Sequence, residues 1–390
     1  MDFSLTDEQE LLLASLAEVV ERYGQEDYLK ECDENDLTPQ RLREGLHEAG
    51  FDMLGVPEEY GGTPCDTVTL ILYHEELARL CSAGYACDST SVSMADMIKF
   101  GSEKQLQDCV DSISNLRTPF ALGFTEPNAG SDSGAIQTTY TRKNGKVIIN
   151  GQKTFISRAD LADHMLCMAK SADAPEGKNV FTTWWVPMNA KGVSYAPIKK
   201  VGWHSIHSCD VWLEDVELDE TDMVGEEGKG FVNVMKNFEI ERLVMAATAL
   251  GEAELAFGDA VQYANERVQF HKTLGEFQLI QEKLTDMAAK IEAMKGLVYK
   301  GAWMEDQGLP INTIAALAKR YCATVSFEVI DQAMQIFGGL GYSADLRIGR
   351  VWRNNRLNSI GGGTNEIMVH VASRQILKDY KNGQPLFGRV

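Results

Sequence analysis

No two cysteines in this 390-residue chain are spaced as CxxC. The eight present (Cys32, Cys65, Cys81, Cys87, Cys109, Cys167, Cys209 and Cys322) are scattered singly. That pattern suits neither a disulfide framework nor a tetrahedral zinc site, and predicts free, mostly buried thiols in a reducing compartment. Positive charge is scarce as well: 37 Lys and Arg stand against 57 Asp and Glu, a formal net charge of −20. A surface of that sign argues against nucleic acid or an anionic membrane as partner. No window approaches the roughly 18 consecutive apolar residues that span a bilayer. The opening Met1-Asp2-Phe3-Ser4 has neither a basic leader nor an Arg-rich transit pattern, so an intact cytosolic chain is expected. Common catalytic signatures are missing too: GxGxxG between a strand and a helix, GxxxxGK[ST], HExxH and GxSxG. Glu44-x-x-His47 is a lone ExxH, whereas a di-iron bundle needs two such pairs and two more glutamates. No metal site is expected.

What is present is ordinary globular material, 44% hydrophobic and long enough for two or three cores. Thr6-Asp7-Glu8-Gln9 reads as a capping box opening an apolar run through Leu11, Leu12, Leu16, Val19 and Val20. Thr38-Pro39 reads as an N-cap with proline at the first helical position. Periodic segments near 67–80 and 103–114 extend a helical layer over residues 1–118. The period then changes to two. Thr138–Thr141 and Lys146–Ile149 flank Asn144-Gly145, the turn dipeptide of a two-residue hairpin, and a second Asn-Gly follows at 150–151. With strands at 181–186 and 211–216, residues 119–225 predict a small barrel or sandwich. From 226 to 390 helical periodicity returns, with bundle-length segments at 231–268, 278–307, 311–337 and 364–380. The expected class is therefore α+β, mostly α, in the order helical domain, β domain, four-helix bundle.

Three stretches could carry chemistry. Gly123-Phe124-Thr125-Glu126-Pro127-Asn128-Ala129-Gly130-Ser131-Asp132 lies where a strand enters a loop. Its small residues would suit a phosphate or a flat polar ring, or an ordinary turn. Gln335–Tyr342 closes a helix with glycines that could be C-caps. Gly361-Gly362-Gly363 runs into a helix with Thr364 as N-cap, which makes either an anion-binding helix start or a linker.

Taken together these stretches resemble the acyl-CoA dehydrogenase family over essentially the whole chain. Thr125–Asp132 is similar to its first signature, and Gln335–Tyr342 with Asp345, Arg350 and Asn354 is similar to its second. Within the family the chain resembles the anaerobic bacterial branch typified by crotonobetainyl-CoA reductase, through stretches such as Tyr140–Lys146, Tyr263–Phe270 and Phe277–Lys283. The resemblance implies FAD and an acyl-CoA or enoyl-CoA thioester. It further implies electron-transfer flavoprotein as redox partner and a homo-oligomer, usually a tetramer. Either direction, dehydrogenase or enoyl-CoA reductase, is compatible. A non-catalytic flavoprotein subunit and an acyl-CoA oxidase are the alternatives.

The family's reaction needs a carboxylate that exchanges the α-proton. Most members carry that glutamate directly before a Gly-Thr pair, where this chain has Gly362. A minority carry it on a bundle helix just before an arginine, which here is Glu241-Arg242. The resemblance therefore implies Glu241 as base, although in isolation it reads as a solvated helix carboxylate. Half-buried beside an acyl chain, such a carboxyl would have a raised pKa. The resemblance assigns flavin contacts to Phe124, Thr125, Gly130, Ser131, Phe155, Ser157, Arg267, Phe270, Gln278, Gln335, Gly338, Gly339, Gly363, Thr364 and Glu366. Substrate contacts fall to Ser131, Glu239, Arg242 and Gly362. His204-Ser205-Ile206-His207-Ser208 and Phe124 depart from the family pattern.

Overall fold

Residues 4–82, 90–175 and 178–384 are described by the computed structural model, with backbone alone at 90–93. Cys87, the opening tripeptide and the terminal Leu386–Val390 lie outside the described residues. The first helix, Asp7–Tyr23, starts as its sequence predicts. Thr6 Oγ1 accepts from the Gln9 amide and the Gln9 side chain accepts from the Thr6 amide. Helices Glu26–Glu34, Gln40–Glu48, Thr67–Cys81, Thr90–Phe100 and Glu103–Ser114 complete the N-terminal layer. One expectation fails. The helix after Thr38 begins at Gln40 with Pro39 as an N-cap that makes no side-chain bond. The Thr38 hydroxyl donates instead to the Ser205 carbonyl, 3.3 Å away and 167 residues later in the chain.

Eight strands follow: β1 Thr118–Gly123, β2 Thr139–Lys143, β3 Lys146–Ser157, β4 Ala162–Ser171, β5 Phe181–Pro187, β6 Val193–Pro197, β7 Ser208–Leu218 and β8 Met223–Val224. They form one sheet in the order β6-β7-β3-β2-β4-β5-β8, with β1 parallel to β4. Asn144 and Gly145 both take positive φ, 53° and 77°, and set Lys143 opposite Lys146 in the hairpin. The second Asn-Gly is not a turn: Gly151 lies inside β3 at a bulge where the register with β7 shifts. Tyr140, Ile149, Met165, Trp184, Val211 and Val216 form the core of this layer.

The chain then returns to helix. Gly230–Glu266, Gln278–Asp306, Asn312–Phe337 and Asn365–Lys381 are the long members, joined by the short Ile348–Asn355. Leu243, Leu250, Met287, Met294, Val298 and Val329 are buried between them. At ~2 kcal/mol for each large apolar side chain taken from water, this packing rather than helix propensity holds the bundle together. Arg350 grips Glu26 through two hydrogen bonds of 2.9 and 2.7 Å, Arg353 reaches Asp33, and Asn354 accepts from the Trp203 amide. These residues staple the bundle to the other two layers. The seven described cysteines are free, six of them buried and Cys65 half-buried. No helix among the described residues is long and apolar enough to cross a membrane.

Candidate active site

The sheet contributes one loop and the irregular end of β3. Where β1 ends, residues 124–132 turn back through mutual backbone bonds between Glu126 and Ala129. Beneath them Lys153, with no exposed surface, donates to Glu126 Oε1 at 2.8 Å and to the Met168 carbonyl at 2.7 Å. The Glu126 carboxylate also accepts the Gln137 and Thr138 amides. Burial pushes this carboxyl up, but the ammonium and the amide donors outweigh it and hold Glu126 below the usual carboxylate range. The Thr154 amide donates to the Thr125 carbonyl at 2.9 Å, tying the loop to β3. The next residue, Phe155, has φ of +55° and is 63% exposed. A bulky aromatic held left-handed and presented to the outside needs a functional reason. Ser157 is exposed beside it, as are Gly130 and Ser131, while Thr125 is half-buried. Phe124 is buried and meets Phe238 edge-on, with ring centroids 5.7 Å apart.

Phe238 belongs to the Gly230–Glu266 helix and carries the site on to Glu241, one turn further. Glu241 is half-buried, so some of its surface stays accessible, yet enough protein surrounds it for burial to raise its pKa to about 7. Arg242 and Lys319 pull the other way. Arg242 is 5% exposed, its pKa is lowered by burial, and its Nε has no hydrogen-bond partner among the described residues. Glu239 turns aside and accepts from Asn312 at 2.9 Å. Lys319 is 1% exposed and donates to the Gly363 carbonyl; burial first, then Arg242, depresses it to about 8 against the pull of Glu241 and Glu366.

Above Glu241 runs the glycine triplet. Gly362 and Gly363 have φ of +60° and +90°. A Cβ added at Gly362 would overlap Met245 Sδ, and Met245 stands four residues after Glu241 on the same helix face. Thr364 caps the final long helix through the Ile367 amide, and hydrogen bonds at that helix start hold the exposed Glu366 below its ordinary value.

Four residues near Glu241 escape a reading by motif: Asp96, Asn237, Met245 and Lys319. Two of them left a trace in the sequence. Lys319 follows Ala315 by four residues and precedes Cys322 by three, so helical period alone puts its charge on the buried face. Asp96 likewise interrupts the apolar run Met94, Met97, Ile98.

The remaining candidates lie elsewhere. Arg267, Phe270, Gln278, Gln335, Gly338 and Gly339 are all exposed, grouped where Tyr263 meets Phe337 at 4.8 Å and Phe270 meets Phe277 at 6.3 Å. Arg267 follows Glu241 by 26 residues along one helix, about 39 Å at 1.5 Å per residue. The divergent 204–208 stretch also stays apart from the carboxylate, with His204 against Arg353 and His207 against Asp160. His47 pairs with Asp52 rather than with Glu44.

Family models cover nearly the whole of this architecture. Residues 6–115, 121–216 and 228–377 match the N-terminal, middle and C-terminal domains of acyl-CoA dehydrogenase. The chain belongs to the acyl-CoA dehydrogenase family. A curated relative, the probable acyl-CoA dehydrogenase YdiO of Escherichia coli strain K12, is 50% identical over 383 residues, covering 98% of this chain and all of its own. Butyryl-CoA dehydrogenase from Megasphaera elsdenii superimposes with a TM-score of 0.90 at 34% identity, covering 97% of this chain and 100% of that one. A chain solved in work on the electron transferring flavoprotein of Acidaminococcus fermentans and flavin-based electron bifurcation gives 0.90 at 35%, with the same coverage. The family's helical, sheet and helical domains are the three layers described above.

Proposed function

We propose that this protein is an FAD-dependent oxidoreductase acting on the α,β carbon–carbon bond of an acyl-CoA thioester, with Glu241 as its proton-exchanging base. The observation that carries the assignment is the packing of Met245 into the space a side chain at 362 would need. A side chain on that loop would have to displace the Met245 thioether and hold a positive φ. Glu241 stands one turn away along the same helix, with a pKa of about 7, suited to exchanging a proton with a carbon acid near neutrality. Arg242 and Lys319 stabilise its ionised form, and the Gly362 amide is the donor for the thioester carbonyl, where negative charge develops as the α-proton leaves.

The residues present fit FAD. Phe155, held at positive φ and exposed, offers a flat apolar cover, with the Ser157 hydroxyl close by and the Thr125 loop locked beneath by Lys153 and Glu126. Bound there, FAD supplies the hydride acceptor for the β-carbon. Arg267, about 39 Å from Glu241 by helix rise, lies with Phe270, Gln278, Gln335, Gly338 and Gly339 in the exposed group away from the carboxylate. In this reading they serve the flavin of a second copy, which makes a homo-oligomer, such as a tetramer, part of the functional unit. Ser131 and Glu239 border the thioester path, and Gly363, Thr364 and Glu366 the flavin. Electron-transfer flavoprotein is the expected redox partner, in keeping with the Acidaminococcus fermentans match, and the cytoplasm the expected compartment. The likeness to the crotonobetainyl-CoA reductase branch supports a physiological role as reductase.

Anaerobic titration with saturated acyl-CoA thioesters tests the reading. Bleaching of bound yellow flavin is expected, and Glu241→Gln should retain the flavin without bleaching. A flavin that neither bleaches with thioesters nor, once reduced, is reoxidised by enoyl-CoAs would instead mark a non-catalytic subunit.

A further inference from the structure

Asp96 enters the site from the N-terminal layer. Its helix, Thr90–Phe100, packs against Gly230–Glu266, the helix that carries Asn237, Glu241 and Met245 at intervals of four residues, and Asn237 and Glu241 both act on Asp96. The carboxyl is 5% exposed and hydrogen-bonded by the Asn237 side chain, while Oδ1 has no hydrogen-bond partner among the described residues. Buried carboxylates are ordinarily saturated with donors, and an orphaned oxygen costs about 1–3 kcal/mol unless something else satisfies it. Within the same molecule Glu126 shows the saturated arrangement, with an ammonium and two amides on it. Among the described residues no cation is hydrogen-bonded to Asp96: burial first, then Glu241, raises the carboxyl to about 7 against the Asn237 hydrogen bond and the more distant Lys99.

Position along the helix gives this orphan a direction. Met245 and Gly362 mark one end of the face, Glu241 the middle, and Asn237 with Asp96 the other end, each about 6 Å from the next at 1.5 Å per residue. A thioester whose carbonyl is at Gly362 and whose α-carbon is at Glu241 therefore has its acyl chain within reach of Asp96. A hydrocarbon chain there would seal the unsatisfied oxygen away from water and leave it without a donor. We infer that Asp96 is a specificity-determining residue and that the preferred acyl group carries a hydrogen-bond donor, a hydroxyl or an amine, a few carbons beyond the reacting bond. Asn237 is the positioning residue that fixes the carboxyl so that one oxygen remains for the ligand.

The inference rests on the dehydrogenase reading, and one experiment separates the two. Reduction of the holoenzyme is followed with 5-hydroxypentanoyl-CoA and hexanoyl-CoA, which differ only by OH for CH3 at the chain end, and with the 4-hydroxybutyryl-CoA and pentanoyl-CoA pair. Wild type should favour a hydroxy-acyl thioester over its hydrocarbon counterpart by at least ~10-fold in kcat/KM, since an unmet buried acceptor is penalised at this scale. Asp96→Leu should reverse that preference while the rate with hexanoyl-CoA holds or rises, and Asp96→Asn, which keeps the shape and a hydrogen-bonding group, should retain part of it. Equal or greater activity of wild type toward hexanoyl-CoA and pentanoyl-CoA overturns the role of Asp96, whether or not the variants fold. An unchanged ratio in Asp96→Leu overturns it too. If no thioester reduces the flavin and the reduced flavin ignores enoyl-CoAs, the dehydrogenase reading falls and takes the inference with it.

Discussion

Two buried charge groups lie about the candidate site and are built on opposite plans. In the sheet, Lys153 and Glu126 form a closed pair in which the ammonium and the carboxylate each meet several partners. Around the bundle, Glu241, Arg242 and Lys319 meet Asp96 from the N-terminal layer with few direct bonds, and among the described residues Arg242 Nε and Asp96 Oδ1 have none. The pKa directions follow: Glu126 is held down, whereas Glu241 and Asp96 are driven up to about 7. A satisfied pair fixes a loop, while an unsatisfied group keeps bonding capacity in reserve for a ligand.

The strongest way to break this contrast is to treat both groups as merely structural. Glu241→Gln should lower the rate of flavin reduction by acyl-CoA by about 10³-fold, within the range for loss of a general base. An unchanged stopped-flow rate would return Glu241 to the structural class. Lys153→Met should do the reverse. Leaving Glu126 buried without its cation should cost about 3–5 kcal/mol in denaturant unfolding. Adding Glu126→Gln should recover part of that loss, and full stability in the single variant would remove the pair from its role beneath the loop.

Gly362→Ala combines positive φ with the overlap on Met245 and should cost about 1–3 kcal/mol. The pair Gly362→Ala and Met245→Ala should cost less than the sum of the two, measured as a double-mutant cycle.

The pH dependence sharpens the comparison further. Glu126, with its folded pKa depressed, adds stability that is present above its unfolded value and lost as acid takes the pH down through the folded one. Glu241 and Asp96, with folded values near 7, oppose folding above that pH; their penalty fades as the pH falls through 7 and is gone below their unfolded values. Asp96→Asn with Glu241→Gln should therefore be more stable than the parent at pH 8, with the gap closing toward pH 5 in thermal melts. In the pH profile of kcat/KM, activity should fall as Glu241 takes up its proton near pH 7. Lys319→Met should move that limb upward, because the lost cation had favoured the carboxylate.

Local signals were the legible part of the fold. The Thr6 capping box, the Asn144-Gly145 turn and the long apolar periods each depend on neighbours within a few residues, and each stands where the sequence predicts. Thr38 misled because its hydroxyl is taken by a carbonyl from a different layer. The site divides along the same line. Glu241 and the glycine triplet entered the candidate site through a family pattern, and Phe155 through its place beside Ser157. Asp96, Lys319 and Met245 gain meaning only when three distant segments meet, although a charge on a buried helical face was a usable clue for Lys319.

The contact between Met245 and Gly362 also bears on how such a chain could change. Placing a glutamate at position 362 would meet a backbone at φ +60° and the sulfur of Met245 together, so that substitution strains the backbone and requires Met245 to move. On the proposed assignment, losing Glu241 first leaves the reaction without a base. Neither order offers an uphill first step. On that assignment the two positions are bound by epistasis, and the placement of the base is a commitment that single mutations do not readily revisit.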